Sequence, residues 1–169
     1  LFRSFFAMKL VGGETLDTLL ERRAHPGEDW PRFLKVFEQI LQTMAYSHVQ
    51  GIIHRDLKPK NVMVGNFGEV LVMDWGVARH DASRMRPIPE GGVLPASTVR
   101  TTHIMGTLAY MSPEQARGET DALDVRADVF CLGGMLCTIL TGRPPYVAKG
   151  HARLLRMAQG ARLAEAYAR

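Results

Sequence analysis

Apolar residues in this chain keep two different rhythms, and the change from one to the other marks out its elements. Phe33, Val36, Phe37, Ile40, Leu41, Met44, Ala45 and His48 recur at the i, i+3, i+4 spacing of a helix with one buried face. Asp29 and Pro31 supply the start signals of that helix, and Gly51 its stop. A shorter helix from Thr15 to Arg23 sets Leu16, Leu19 and Leu20 on one side. Another, from about Asp124 to Leu140, is apolar nearly all round, which places it at the centre of a core. A weaker helical pattern follows around Ala152–Gln159. Strand-like runs are fewer. Leu1–Val11 reads as a buried strand ending at the Gly12-Gly13 turn, and Val62–Val64 with Glu69–Met73 flank Gly65-Asn66-Phe67-Gly68 as a β-hairpin with a four-residue loop. From Ala78 to Ile104 no period is sustained, as in a long loop. The predicted fold is mainly α with a small β-hairpin.

Composition narrows the class without naming a function. At 169 residues the chain suits one core, and its 46% hydrophobic and 22% charged residues exclude a largely disordered chain. The 21 Lys and Arg are interspersed with 17 acids, so the net charge of +4 reads as a mixed solvated surface, with no nucleic acid expected as partner. Cys131 and Cys137 match neither metal-ligand spacing nor a secreted disulfide framework; they read as small buried hydrophobes in a cytoplasmic protein. The apolar run Val129–Leu140 is too short to cross a bilayer, so no membrane segment is expected within these residues. The chain opens on Leu1 in mid-pattern and stops at Arg169 without a tail, as a fragment of a longer protein would.

The chemistry gathers between the long helix and the second hairpin strand. Closing the hairpin brings Asn61 near Asp74, with Asp56 and Lys58 on the loop before it. Two carboxylates, an amide oxygen and an ammonium around one cavity suit Mg²⁺ and phosphate: hard oxygens for the metal, a spare carboxylate to orient a hydroxyl, a cation against developing charge. Taken alone, the same residues also fit a solvated turn, and their order is what distinguishes the two.

His54-Arg55-Asp56-Leu57-Lys58-Pro59-Lys60-Asn61 and Asp74-Trp75-Gly76 resemble the catalytic loop and the Asp-Phe-Gly triplet of eukaryotic-type protein kinases. Downstream, Gly106-Thr107-Leu108-Ala109-Tyr110-Met111-Ser112-Pro113-Glu114 resembles the segment ending in Ala-Pro-Glu, and Asp124–Phe130 the start of the family's buried central helix. The likeness runs along essentially the whole chain and is closest to bacterial serine/threonine kinases. It implies ATP and Mg²⁺ as cofactors, protein substrates as partners, and the C-terminal, large lobe of the kinase α+β fold. Within one partial domain, 1–169, it implies a hinge strand 1–14, catalytic loop 51–61, metal-binding hairpin 62–76, activation segment 74–114 and central helix 124–141.

The resemblance also assigns roles. Asp56 becomes the catalytic base, Lys58 the residue that steadies the γ-phosphate, Asn61 and Asp74 the metal ligands, and Thr107 a hydrogen-bond partner of Asp56 and Lys58. Met8, Lys9, Val11 and Met63 join Asp74 as nucleotide-contacting positions. His54 and Trp75 become packing residues, Ser112 a harmless small-for-small replacement, Glu114 an ion-pair partner and Asp128 an anchor for the catalytic loop. Arg55 and Arg79 become the basic partners of a phosphorylated residue, with Thr98, Thr101 and Thr102 as candidate acceptors.

Gly12-Gly13 and Gly91-Gly92 lack the context of a Gly-rich phosphate loop, and no strand lysine accompanies them. The expectation is therefore a lobe without its N-terminal, ATP-clamping partner, inactive by itself. Two other readings compete. A small-molecule phosphotransferase of the aminoglycoside or choline kind shares the Asp, Asn and metal Asp, but usually lacks Lys58 and the Gly-Thr to Pro-Glu segment. A non-catalytic pseudokinase is opposed by intact Asp56, Asn61 and Asp74.

Overall fold

A computed structural model of the chain describes residues 12–80 and 107–169. The predicted strand at 1–11 and most of the predicted loop at 78–104 lie outside them. The described chain begins with β1 (Glu14–Thr15) and α1 (Leu16–Glu21), where Thr15 caps the helix by accepting the Thr18 N–H at 3.1 Å. Then come α2 (Trp30–Val49), β2 (Ile52–Ile53), β3 (Val62–Val64), β4 (Val70–Val72) and β5 (Arg79–His80). The remainder is helical: α3 (Pro113–Ala116), α4 (Val125–Thr141), α5 (His151–Gln159) and α6 (Ala164–Tyr167). β1, β3 and β4 form an antiparallel sheet in that order, with Thr15 opposite Met63 and Met63 opposite Leu71; β2 pairs antiparallel with β5.

The core is the space enclosed by α1, α2, α4 and the β3–β4 hairpin. Leu16, Ile40, Met44, Val62, Met135 and Ile139 are essentially removed from solvent there. Burying each of the larger side chains contributes about 1.5–3 kcal/mol relative to exposure. Arg23 fastens the end of α1 to the end of α4, donating to the carbonyls of Ile139 at 2.8 Å and Thr138 at 3.4 Å while its guanidinium lies over the Phe33 ring. A second cluster, with Leu108, Met111, Ala116, Tyr146, Met157 and Ala158, joins α5 to α3 and to the turn before it.

Several sequence expectations are corrected. Leu41 and Ala45 face solvent, and Ser47 takes a buried place because its hydroxyl donates to Ile52 O at 3.0 Å. Asp29 precedes α2 in a left-handed conformation and makes no side-chain cap, so Pro31 carries the start signal. The hairpin connection is five residues long, since Glu69 leaves the strand and accepts the Phe67 N–H. Arg79 and His80, read as loop, are strand β5. Helix α4 keeps one solvent stripe, with Val129 55% exposed, and Cys137 is only half-buried.

Candidate active site

The loop from His54 to Asn61 is held in place chiefly by groups far from it in sequence. Asp128, on the first turn of α4 and fully buried, accepts the backbone N–H of His54 through Oδ2 and that of Arg55 through Oδ1, each at 2.8 Å. His48, near the end of α2, donates Nε2–H to the same Oδ2 at 2.8 Å. Gln115 of α3 donates Nε2–H to Arg55 O at 2.7 Å and, through Oε1, accepts from the Ser112 hydroxyl at 3.1 Å. The Arg55 backbone is thus gripped at both ends, which sustains its left-handed φ of 73°.

His54 is buried and fully used. Its Nδ1 accepts the Asp56 N–H at 3.3 Å, so the proton sits on Nε2, which donates to Met73 O at 2.9 Å. Trp75 packs against it, ring centroids 4.6 Å apart, and donates its indole N–H to Val72 O. Both residues therefore orient the backbone on either side of the site as well as filling space.

Asp56, Lys58, Asn61 and Thr107 converge in one hydrogen-bonded group. Asp56 Oδ1 accepts the Thr107 N–H at 3.0 Å, while Oδ2 accepts Lys58 Nζ at 2.7 Å and Asn61 Nδ2 at 3.2 Å. Lys58 Nζ also donates to Thr107 Oγ1 at 2.8 Å. Asn61, itself buried, donates Nδ2 to Asp56 O at 2.8 Å, and since a carbonyl can only accept, its own Oδ1 points away. Met73 N–H donates to Asn61 O at 2.8 Å, which brings the following residue, Asp74, alongside the loop. Asp74 is exposed, in a left-handed conformation that Asp tolerates, and is not hydrogen-bonded to the group.

The donor set fits a hard divalent cation shared with phosphates. Neither Asn61 Oδ1 nor the Asp74 carboxylate accepts a hydrogen bond among the described residues, and both are oxygens of the kind Mg²⁺ takes. No cluster of three or more His, Cys, Asp or Glu that could hold a metal occurs among the described residues, so any such ion needs oxygens from elsewhere.

The remaining candidates are distributed around this centre. Met63 lies in β3, between Thr15 and Leu71. Among the described residues the buried Nε of Arg55 has no partner; burial foremost, then the nearby Arg79 charge, pull its pKa below the usual arginine value, against the opposing pull of Asp128. Glu114, in α3, makes no side-chain hydrogen bond or ion pair among the described residues. Met8, Lys9, Val11, Thr98, Thr101 and Thr102 fall outside the described residues. Sequence reasoning missed His48, counted only as part of an apolar stripe, and Gln115. It also understated Ser112, whose fully buried hydroxyl belongs to the Gln115 contact, so the residue is more than a small-for-small change.

Comparison with known proteins agrees with this geometry. A family model described as protein kinase domain matches residues 3–165. Over 158 residues, 85% of this chain and 16% of the relative, the sequence is 35% identical to serine/threonine-protein kinase PknD of Protochlamydia amoebophila. Over 144 residues, 85% of this chain and 21% of the relative, it is 39% identical to serine/threonine-protein kinase PknB of Mycolicibacterium smegmatis. A probable serine/threonine-protein kinase of Streptomyces coelicolor is 40% identical over 145 residues, 85% of this chain and 19% of its own length. The chain thus spans about a fifth of the length of these relatives. No helix of the described residues is long and apolar enough to cross a membrane. Motif order, loop geometry and these matches converge: the chain belongs to the protein kinase family, among the bacterial serine/threonine kinases.

Proposed function

We propose that the protein carrying this chain transfers the γ-phosphate of ATP to serine and threonine hydroxyls of other proteins, and that these residues form the C-terminal lobe of its kinase domain. The observation that carries the reading is the set of hydrogen bonds around Asp56. Thr107 N–H, Lys58 Nζ and Asn61 Nδ2 hold its two oxygens, yet a carboxylate has about four lone-pair directions, so one remains to accept a substrate hydroxyl. Asp56 is then the base that orients that hydroxyl for attack. Lys58 spends two of its three N–H donors on Asp56 and Thr107, leaving the third for an oxygen of the transferred phosphoryl group.

Asn61 Oδ1 and the Asp74 carboxylate would hold Mg²⁺. When bound, the metal offsets the charge of the β- and γ-phosphates. Lys9 and Val11 would bond the adenine through their backbone, with Met8 and Met63 against the base. The buried Nε of Arg55, unpartnered among the described residues and close to Arg79, suits a phosphothreonine at Thr98, Thr101 or Thr102, which brings almost two negative charges to that spot.

The test is phosphate transfer from radiolabelled ATP to a Ser/Thr-containing protein by the full-length protein. Asp56→Asn is expected to lower kcat by about 10²–10⁴-fold, the usual worth of a positioned general base, with the far-ultraviolet circular dichroism unchanged. An equal rate in the variant would overturn the assignment.

A further inference from the structure

The positive charge of this chain is not evenly spread. Residues 142–169 hold Arg143, Lys149, Arg153, Arg156, Arg162 and Arg169 against Glu165 alone, while residues 1–141 hold fifteen Lys and Arg against sixteen acids. The final segment therefore carries the whole net charge of +4 and one more, and the expectation of uniformly mixed charge is corrected.

Helix α5 concentrates that charge on one side. Met157 and Ala158 are buried against α3, and Leu154 and Leu155 are half-buried beside them. Arg153 and Arg156, three apart, share the opposite, exposed face. Lys149 precedes the helix and Arg162 follows it, its N–H bonded to Met157 O at 3.0 Å. None of these four cations has an acidic partner among the described residues. Arg156 lies in the last turn, where the helix dipole favours a cation, but Lys149 and Arg153 do not serve the helix: its first turn has no acid and no side-chain cap, and Arg153 sits where the dipole is positive. Folding leaves all four without an ion-pair partner among the described residues, and Lys149 and Arg153 without any favourable helix end.

The same helix is fastened to the loop that carries Asp56. Gln159 donates Nε2–H to Ala116 O at 3.0 Å, and Arg117 donates Nη1–H to Gln159 O at 3.0 Å. One residue back along α3, Gln115 reaches Arg55 O. A group docked on α5 is therefore held in fixed relation to the residue before Asp56.

We propose that the α5 face bearing Arg153 and Arg156, flanked by Lys149 and Arg162, docks an acidic segment of the protein substrate, remote in sequence from the hydroxyl presented to Asp56. This rests on the kinase reading above for the word substrate. Charge complementarity supplies the recognition, and the tie through Gln159, Ala116 and Gln115 is what a substrate, rather than any other polyanion, exploits.

The experiment uses the full-length protein, its Arg153→Glu/Arg156→Glu variant, and Arg153→Gln/Arg156→Gln as a milder second variant. Binding of a fluorescent Glu-rich peptide is read by anisotropy, and kinetics are measured on one acceptor peptide with and without a Glu-rich extension. Charge reversal is expected to weaken peptide binding about ten-fold, neutralisation less, and both effects to shrink in high salt. KM for the extended acceptor rises by the same factor, with kcat unchanged and the unextended acceptor unaffected. Equal binding by all three proteins overturns the proposal. So does ten-fold tighter binding of a single-stranded oligonucleotide or of anionic phospholipid vesicles, which would assign the face to nucleic acid or membrane. Peptide binding lost on charge reversal, without phosphate transfer by the unmodified protein, would support the acidic docking face and sink the kinase reading; transfer indifferent to the extension would do the reverse.

Discussion

Replacing Asp128 tests whether the loop that carries Asp56 is held from α4. Its carboxylate is fully buried and accepts three hydrogen bonds, from His54 N, Arg55 N and His48 Nε2. Asp128→Ala strands all three donors. Each buried donor left unmade costs about 1–3 kcal/mol, and breaking one side of a buried charged contact about 3–5 kcal/mol in total. The side chain of His48 is 14% exposed and can turn to water, so the lower part of that range, about 3–4 kcal/mol, is expected. Asp128→Asn keeps the shape and one acceptor oxygen, but turns an NH₂ group toward either the Arg55 or the His54 amide, and should recover no more than about half of the loss. The assay is urea unfolding followed by tryptophan fluorescence in a Trp30→Phe background, so that Trp75, which packs on His54, reports the loop directly. With a slope of about 2 kcal/mol per M, Asp128→Ala moves the midpoint down by about 1.5–2 M and Asp128→Asn by about 1 M. An Asn variant with the midpoint of the unmodified chain would show that the three hydrogen bonds do not hold the loop.

Gln115→Leu removes the donor to Arg55 O and the acceptor of the Ser112 hydroxyl, both buried, and should lower unfolding free energy by about 2–3 kcal/mol and slow phosphate transfer, measured on the same preparation. Thr107→Ala deletes the acceptor of the second Lys58 hydrogen bond while sparing the backbone N–H that binds Asp56. It should lower kcat by about ten-fold, with recovery in Thr107→Ser, in steady-state kinetics. Cys131 is buried, and burial raises its thiol pKa well above the ordinary value, so at pH 8 it stays protonated and unreactive. Thiol titration at that pH should therefore count one reactive group, Cys137, in the native chain and two in denaturant.

The loop that carries Asp56 is legible in the chain because His54, Arg55, Asp56, Lys58 and Asn61 stand within eight consecutive positions in the order of the kinase motif. The long helices are legible because burial imposes a period over many residues. What escapes is set by single long-range contacts. Ser47 is buried because its hydroxyl reaches a carbonyl beyond the turn at Gly51. Strands β1 and β5 are two residues long, too short to show alternation, and exist only because β3 and β2 offer them partners. His48 and Gln115 look like ordinary members of a helix face and a motif tail; their value lies in Asp128 and Arg55, 80 and 60 positions away. The charge of α5 was countable from the start, but its exposure on one face and its tie to α3 emerge only from packing.

The left-handed Arg55 has a consequence for the order of events in the cell. Its amide depends on a carboxylate 73 positions later and its carbonyl on an amide 60 positions later. At a synthesis rate of about 5–20 residues per second, the loop leaves the ribosome roughly 4–15 s before Asp128 does. During that interval the β3–β4 hairpin and α2 have local partners, whereas the Arg55 amide has none and its carbonyl gains Gln115 only near the end. A nascent chain therefore cannot hold the loop that carries Asp56 in its final geometry until α4 has emerged and closed on it.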